Sequence, residues 1–137
     1  MKVRWLSFVV VLSACQADGT PRVEERFDDI APDETLRFAG TEPFWGGEVT
    51  GMRLVYTTPE NPEGAEIAVD RFAGNGGLGF SGTLSGQPFD MMVAKARCAD
   101  GMSDRTYPFT VTIVIGDDPP RDGCGWTERQ PHSGGAA

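Results

Sequence analysis

The stretch that decides the fold is Tyr107–Ile115, which reads YPFTVTIVI. Tyr, Phe, Val, Ile and Ile occupy every second position, with Pro, Thr, Thr and Val between them. Successive side chains of a strand point to opposite faces of the sheet. The alternation therefore predicts a strand with one face in a core and the other toward solvent.

Shorter strands are predicted on the N-terminal side of this segment. Residues 44–50 and 52–57 form a predicted hairpin across Gly51. Residues 66–72 alternate between apolar and polar side chains and then shift phase at Phe72, which predicts a β-bulge.

A further pair of strands is predicted at residues 78–84 and 87–97, joined by a tight turn at Ser85-Gly86 that is compatible with positive φ angles. The 18 glycines and 10 prolines interrupt the chain too often for helix to dominate. Short strands at this spacing indicate an all-β sandwich or a small closed barrel. We favour a small antiparallel β-barrel of about seven or eight strands, because closure leaves no long unpaired edge.

The N-terminus is a basic and then apolar leader. Lys2 and Arg4 precede an apolar stretch, Trp5–Ala14, which is shorter than the roughly 20 residues needed to span a bilayer. The leader ends in Leu-Ser-Ala-Cys15, which resembles the lipobox of bacterial lipoproteins. The resemblance implies that residues 1–14 are removed as a signal peptide and that Cys15 carries the lipid, including an acyl chain such as palmitate. Gln16 is not the aspartate that resembles an inner-membrane retention signal, so we expect the periplasmic side of the outer rather than the inner membrane.

Composition divides the remaining chain into three parts. Residues 15–33 are polar, acidic and rich in turn formers, which is typical of a flexible tether. Residues 34–127 are long enough for one β-barrel domain. Residues 128–137 lack an apolar anchor, and we expect this tail to be disordered.

The three cysteines are an odd number for an exported protein. Lipidation of Cys15 leaves Cys98 and Cys124 as the pair available for a disulfide in an oxidising compartment. Closing that loop stabilises the fold by about 3.5 kcal/mol on the chain-entropy account. A metal site is the poorer interpretation, because the one histidine, His132, falls in the predicted tail.

The charge is strongly acidic. The whole chain has a formal charge of −8, and loss of Lys2 and Arg4 with the leader makes it −10. This balance argues against nucleic acid and against anionic membrane surfaces as partners, because both require basic patches. It favours encounter with a basic protein, although solubility alone also explains it.

Two longer motifs are more specific than composition. One is GTEPFW at residues 40–45, and the other is CADGMSDRTYPF at residues 98–109, followed by GCGW at residues 123–126. Together they resemble a family of uncharacterised bacterial envelope lipoproteins with a GTEPFW segment, a C-x-DGMSDR-x-YP segment and a closing GC-x-W. The resemblance implies an envelope location and no established activity.

A looser similarity is to the membrane-bound inhibitors of c-type lysozyme, which are small disulfide-bearing β-barrel lipoproteins. Their characteristic Ser-Gly-x-x-Tyr loop is absent, and Ser81-Gly82-Thr83-Leu84 is a poor substitute. Lysozyme inhibition therefore rests on an analogy of architecture.

The first candidate site is Glu42 with Phe44 and Trp45. A carboxylate against aromatic walls can have a raised pKa and act as a general acid in glycan hydrolysis. Alternatively, Trp45 stacks on a ligand. The favoured interpretation is that Pro43 sets an extended entry and that Phe44 or Trp45 plugs one end of the barrel.

The second candidate site is the loop Asp100–Arg105, which contains Ser103 and Asp104. It can present carboxylates to a cation or a basic partner, but it has too few oxygen donors for a calcium loop. The structural interpretation is a turn in which Asp100 and Ser103 accept hydrogen bonds from backbone N–H groups while Arg105 pairs with a nearby acid. Both interpretations are compatible with a binding loop at a barrel mouth.

The remaining features favour no catalyst and no cofactor. The glycine-rich residues 74–79 lack the strand-loop-helix context of a nucleotide site and predict a hairpin turn. Met91, Met92 and Met102 are typical of core filling rather than of a copper site. The serines have no histidine within the predicted domain to activate them.

The sequence therefore predicts a non-enzymatic lipoprotein that binds a protein or an envelope ligand through barrel-mouth loops. One alternative is an inhibitor of a basic hydrolase such as lysozyme. Another is a glycan-acting enzyme that uses Glu42 with Asp100 or Asp104.

Overall fold

The protein is a closed antiparallel β-barrel of eight strands. The computed structural model describes residues 26–41 and 43–134. Each strand pairs with the next along the chain, and β8 returns to β1 to close the barrel. The strands are β1 (Leu36–Thr41), β2 (Phe44–Thr50), β3 (Arg53–Thr58), β4 (Asn61–Ala73), β5 (Leu78–Leu84), β6 (Gln87–Ala99), β7 (Thr106–Ile115) and β8 (Arg121–Trp126). The predicted all-β barrel is confirmed.

The alternation in β7 is confirmed by its burial. Every second residue of this strand is buried and the residues between are half-buried. The inward side chains meet those of the other strands in one core. Its fully buried members include Leu36, Phe38, Leu54, Ile67, Leu78, Phe89, Met91, Phe109 and Ile113. Barrels of this size can be filled by side chains, and here the inward side chains form one continuous buried cluster.

The tight turns follow the sequence closely. Ser85 and Gly86 both have positive φ, at 51° and 80°, as a two-residue hairpin turn with the twist of its strands requires. The glycine-rich segment is the predicted hairpin turn, closed by a hydrogen bond of 2.9 Å from the amide of Gly74 to the carbonyl of Gly77.

The bulge predicted at Phe72 is absent from the β4–β5 ladder, which keeps one register from Val69 to Ala73. Phe72 simply points outward and is 71% exposed. Register shifts occur instead in the β3–β4 pair and in the β6–β7 pair between Lys95 and Cys98. An exposed aromatic residue gives the same phase shift in the apolar pattern as a bulge does, and the prediction of a bulge was wrong for this reason.

The strand order defines two ends of the barrel. Because neighbouring strands run in opposite directions, alternate connections lie at opposite ends. The entry end is where β1 begins and β8 ends, and it contains the connections at residues 51–52, 74–77 and 100–105. The distal end contains the connections at residues 42–43, 59–60, 85–86 and 116–120.

The entry end is covered by chain that the sequence assigned to the tether. Phe27 and Ile30 are buried, at 9% and 3% exposure, and belong to the core cluster. The amide of Phe27 donates to the carbonyl of Gly74 at 2.8 Å, and Asp29 forms an ion pair with Lys95 at 2.8 Å. The structure thus differs from the prediction of a tether through residue 33. Two apolar residues among many acidic ones cover this end of the core. The mean composition of the segment does not reveal them.

The described part of the predicted disordered tail is also tied to the barrel. Thr106 and Ser133 exchange two backbone hydrogen bonds, each of 2.8 Å. Arg129 binds the carboxylate of Glu34 through two nitrogens, one of them at 3.2 Å. The structure therefore differs from the predicted boundary at residue 127, and the partners that order the tail are distant in sequence.

The predicted disulfide is confirmed. Cys98 and Cys124 are bonded, with their Cα atoms 5.6 Å apart. The bond joins β6 to β8, two strands that are not neighbours in the barrel. Residues 1–25, which include the predicted signal peptide and Cys15, lie outside the described residues.

Candidate functional site

The two predicted binding segments lie at opposite ends of the barrel. β1 ends and β2 begins at the distal end, at Thr41 and Phe44, whereas the loop at residues 100–105 joins β6 to β7 at the entry end. This differs from the expectation that both border one mouth, because an up-and-down barrel sends alternate connections to opposite ends. Glu42 itself lies outside the described residues.

Phe44 and Trp45 take different roles. Phe44 is 58% exposed, whereas Trp45 is 4% exposed and its ring centroid lies 6.1 Å from that of Phe38. Glycines 40 and 123 make room for the indole, since a Cβ at Gly40 would lie 2.2 Å from two of its atoms. Trp45 therefore fills the barrel, and its ring is not open for the ligand stacking considered as an alternative.

Asp100 organises its loop from within. Its carboxylate accepts hydrogen bonds from the amides of Met102 and Ser103, at 3.0 and 2.8 Å, and from the Ser103 hydroxyl at 2.7 Å. The Ser103 amide, its hydroxyl and the Met102 amide together lower the pKa of Asp100 from 3.8 to about 2. The predicted turn role of Asp100 and Ser103 is confirmed.

The other loop residues are open to solvent. Asp104 and Arg105 are exposed, and among the described residues neither has an ion-pair partner within 4.0 Å. This differs from the expected pairing of Arg105 with a neighbouring acid, because the adjacent Asp104 is unpaired within the described part of the chain and Asp100 accepts hydrogen bonds from within its own loop.

The disulfide creates a groove on the outer surface. After the register shift in β6, Cys98 is held against β8, and a groove of about 200 Å³ forms beside the bond. Asp100 and Asp122 line it together with Thr41. The end of β6 is thus brought toward β1, so that Asp100 approaches the GTEPFW segment although their connections leave opposite ends.

The distal end is acidic. Its connections and adjoining strand ends present Glu60, Glu63, Asp117 and Asp118, all exposed. Arg121 is the one cation that the described residues place there, and it lies 3.6 Å from Asp118 and 3.2 Å from the hydroxyl of Tyr56.

The hydroxyl of Tyr56 lies near enough to two of these carboxylates to respond to their charge. Burial raises the pKa of Tyr56, Arg121 opposes the rise, and the charges of Asp118 and Glu60 add to it. Both carboxylates, from different connections, therefore act on the same phenol at the distal end.

An apolar anchor accompanies this acidic surface. Phe44 borders a small open pocket of about 180 Å³ that is also lined by Thr57, Thr58 and Pro59. Glu60 follows directly in sequence. An exposed aromatic residue beside a small pocket, with a charged residue nearby, is a common arrangement of protein interfaces.

A cleft at the entry end was missed by the sequence interpretation. Tyr107, Trp126 and His132 form a cluster in which each ring contacts the other two, at centroid distances of 5.3 to 5.8 Å. Trp126 and His132 line an open cleft of about 460 Å³ together with Arg37 and Arg129. No local pattern marks His132, because the Thr106–Ser133 pairing that positions it is long-range.

Within the described residues, no group of three or more His, Cys, Asp or Glu side chains is placed to hold a metal ion. Nor does any helix in that part of the chain have the length and apolarity needed to cross a bilayer.

The fold and the Cys98–Cys124 disulfide define a class, that of small disulfide-linked, eight-stranded antiparallel β-barrels. Comparison with family models, with curated proteins and with solved structures found no match.

Proposed function

We propose that this chain is a non-enzymatic, lipid-anchored protein of the bacterial envelope that binds a basic protein with the distal end of its barrel. The observation that carries the proposal is the difference between the two ends. Exposed carboxylates occur at both ends, but Arg121 is the one described cation at the distal end, whereas the other described cations lie in the half toward the entry end.

Charge and shape support the same surface. A chain with a formal charge of −8 attracts basic proteins, and a local excess of one sign orients them during encounter. Phe44 supplies an exposed apolar contact at the same end of the barrel. Of the residues predicted from sequence, the proposal retains Phe44 and leaves the loop Asp100–Arg105 outside the binding surface.

The anchor is supported by the lipobox-like tetrad that ends in Cys15. The described chain enters the barrel at the end opposite the acidic surface. A lipid at Cys15 would therefore leave the distal end free to meet a partner in the periplasm. Attachment to the outer membrane follows from Gln16 and is part of the same proposal.

The glycan-acting alternative receives less support. Asp100, one of its two candidate partners for Glu42, has a pKa lowered to about 2 by its own loop and is a weak base at neutral pH. Asp104 lies on the same loop, whose connection leaves the barrel at the end opposite the β1–β2 connection, although Asp100 itself borders a groove with Thr41.

The experiment measures binding of a basic protein, with c-type lysozyme as the probe, by titration calorimetry of the mature full chain in detergent. Neutralising two distal carboxylates, Glu60→Gln with Asp117→Asn, is expected to weaken binding about threefold to tenfold at low salt, since exposed charge pairs contribute about 0.2–1 kcal/mol each. Raising the salt concentration is expected to remove most of that difference.

The matched control is Asp28→Asn with Asp33→Asn, which makes the same change in net charge in the segment that precedes β1. Equal weakening by both double variants would show that net charge, not the distal surface, attracts the probe, and would contradict the proposal. Loss of lysozyme activity on binding would favour the inhibitor alternative; unchanged activity would favour a binding role alone.

A further inference from the structure

The exposed large apolar side chains are distributed unevenly over the barrel. Phe44 lies at the distal end, whereas Met52, Phe72 and Met102 lie in or beside the three connections of the entry end. They are 68%, 71% and 68% exposed. Each connection of the entry end thus carries one large side chain that no described part of the chain covers.

The patch around Phe72 continues over the outer face of the sheet. Phe72 pairs with Gly79, and Gly79 pairs with Met92, which is 57% exposed. A Cβ at Gly79 would lie 3.4 Å from the sulfur of Met92, so this side chain lies over the glycine. Phe72 and Met92 therefore flank one bare stretch of backbone at the level of the entry end.

Two guanidinium groups accompany Phe72. Arg26 and Arg71 line an open depression beside it, together with Asn75. Arg71 is held in place by a hydrogen bond of 2.7 Å to the carbonyl of Ile30, and Arg26 is exposed. Planar guanidinium groups bind phosphate oxygens through paired hydrogen bonds.

We propose that the entry end is a membrane-contact surface, in which Met52, Phe72 and Met102 enter the interfacial region of a phospholipid leaflet while Arg26 and Arg71 bind headgroup phosphates. This inference rests on the lipid anchor of the proposed function. The occupant is a lipid surface because the chain from Cys15 reaches the barrel here: eleven residue steps separate Cys15 from Arg26, and they span at most about 40 Å in any conformation.

The orientation that demands the least extension of those eleven residues places the entry end against the leaflet. In that orientation, apolar side chains around the rim are removed from water, and the arginines meet the phosphates.

The mature chain offers its own reporters, because its four methionines include three exposed ones and the fully buried Met91. The experiment labels the methionine methyl groups with carbon-13 in the lipidated full chain. The protein is placed in nanodiscs of phosphatidylethanolamine and phosphatidylglycerol that carry a gadolinium-chelating lipid. A Phe44→Met variant adds a reporter at the distal end.

Paramagnetic relaxation falls with the sixth power of distance, so the enhancement at Met52 and Met102 is expected to be several-fold larger than at the methyl of the Phe44→Met variant. Met91 serves as the internal reference. Equal enhancement at both ends, or a larger one at the distal end, would overturn the proposed contact. Co-flotation of the chain with lipid is measured in parallel. Failure to float would overturn the anchor and this inference with it, whereas flotation without the selective enhancement would overturn this inference alone.

Discussion

The ring of Phe27 meets the ring of Phe109 edge to face, with centroids 6.3 Å apart and planes at 62°. Phe109 belongs to the strand whose alternation predicts the fold, and Phe27 belongs to a segment whose composition predicts a tether. The contact makes residues 27–33 part of the folded domain and fixes the end of the barrel at which the preceding chain arrives.

Removal of this contact is expected to destabilise the protein. Phe27→Ala should lower the free energy of unfolding by about 3 kcal/mol, because it empties a buried aromatic site. Phe44→Ala is the matched control and should change stability by less than about 0.5 kcal/mol, since Phe44 is exposed. Urea denaturation followed by circular dichroism measures both. Equal stabilities of the two variants would show that residues 27–33 do not contribute to the core.

The fit of Trp45 against Gly40 gives a second test. Gly40→Ala places a methyl group on the indole and is expected to cost about 2 kcal/mol through overpacking. Trp45→Leu removes the obstacle, so the double variant Gly40→Ala with Trp45→Leu should lose less stability than the sum of the single variants. A double-mutant cycle by chemical denaturation measures the coupling. Additive losses would place the indole elsewhere.

Loss of the disulfide is expected to lower the stability of the fold. Cys98→Ser with Cys124→Ser is expected to lower the free energy of unfolding by about 3.5 kcal/mol, the chain-entropy value for a loop of this size. The wild-type chain under reducing conditions should show the same loss. If the reduced wild type and the double variant were both as stable as the oxidised protein, the bond would have no role in holding β6 against β8.

The contribution of the Asp100 loop to stability is expected to depend on pH. Its hydrogen bonds lower the pKa of Asp100 from 3.8 to about 2. A carboxyl whose pKa is lower in the folded state stabilises the fold while ionised, so this contribution is present above pH 3.8 and is lost as the pH falls toward about 2. Thermal denaturation should therefore show that Asp100→Asn is less stable than wild type at neutral pH and that the difference shrinks over this interval.

Asp104→Asn is the control for that profile, because Asp104 lies on the same loop without an ion-pair partner among the described residues. Its stability should follow the wild-type profile. A constant difference between Asp100→Asn and wild type from neutral to acidic pH would contradict the assigned hydrogen bonds.

The sequence predicted those features that depend on near neighbours. Alternation marked β7, Ser85-Gly86 marked a turn with positive φ, and the cysteine count marked the Cys98–Cys124 bond. The structural role of Asp100 was also predictable, because an aspartate accepts hydrogen bonds from amides two and three residues on.

The features that sequence reasoning missed depend on partners far apart in the chain. Phe27 is ordered by Phe109, and His132 by Tyr107 and Trp126. The sequence predicted that both binding segments border one mouth. Only the strand order shows that their connections leave opposite ends of the barrel. The distribution of charge between the ends has the same origin, since formal charge along the chain carries no information about position on the barrel.

Binding at the distal end would bring a basic protein of the envelope into contact with Phe44 but not with Met52. The most direct measurement replaces Phe44 or Met52 with a photoreactive phenylalanine analogue, irradiates intact cells and identifies the covalent adducts by mass spectrometry. We expect a basic protein to be joined at position 44 and no such adduct to form at position 52. Capture of the same protein from both positions, or of an acidic protein or none at position 44, would contradict it.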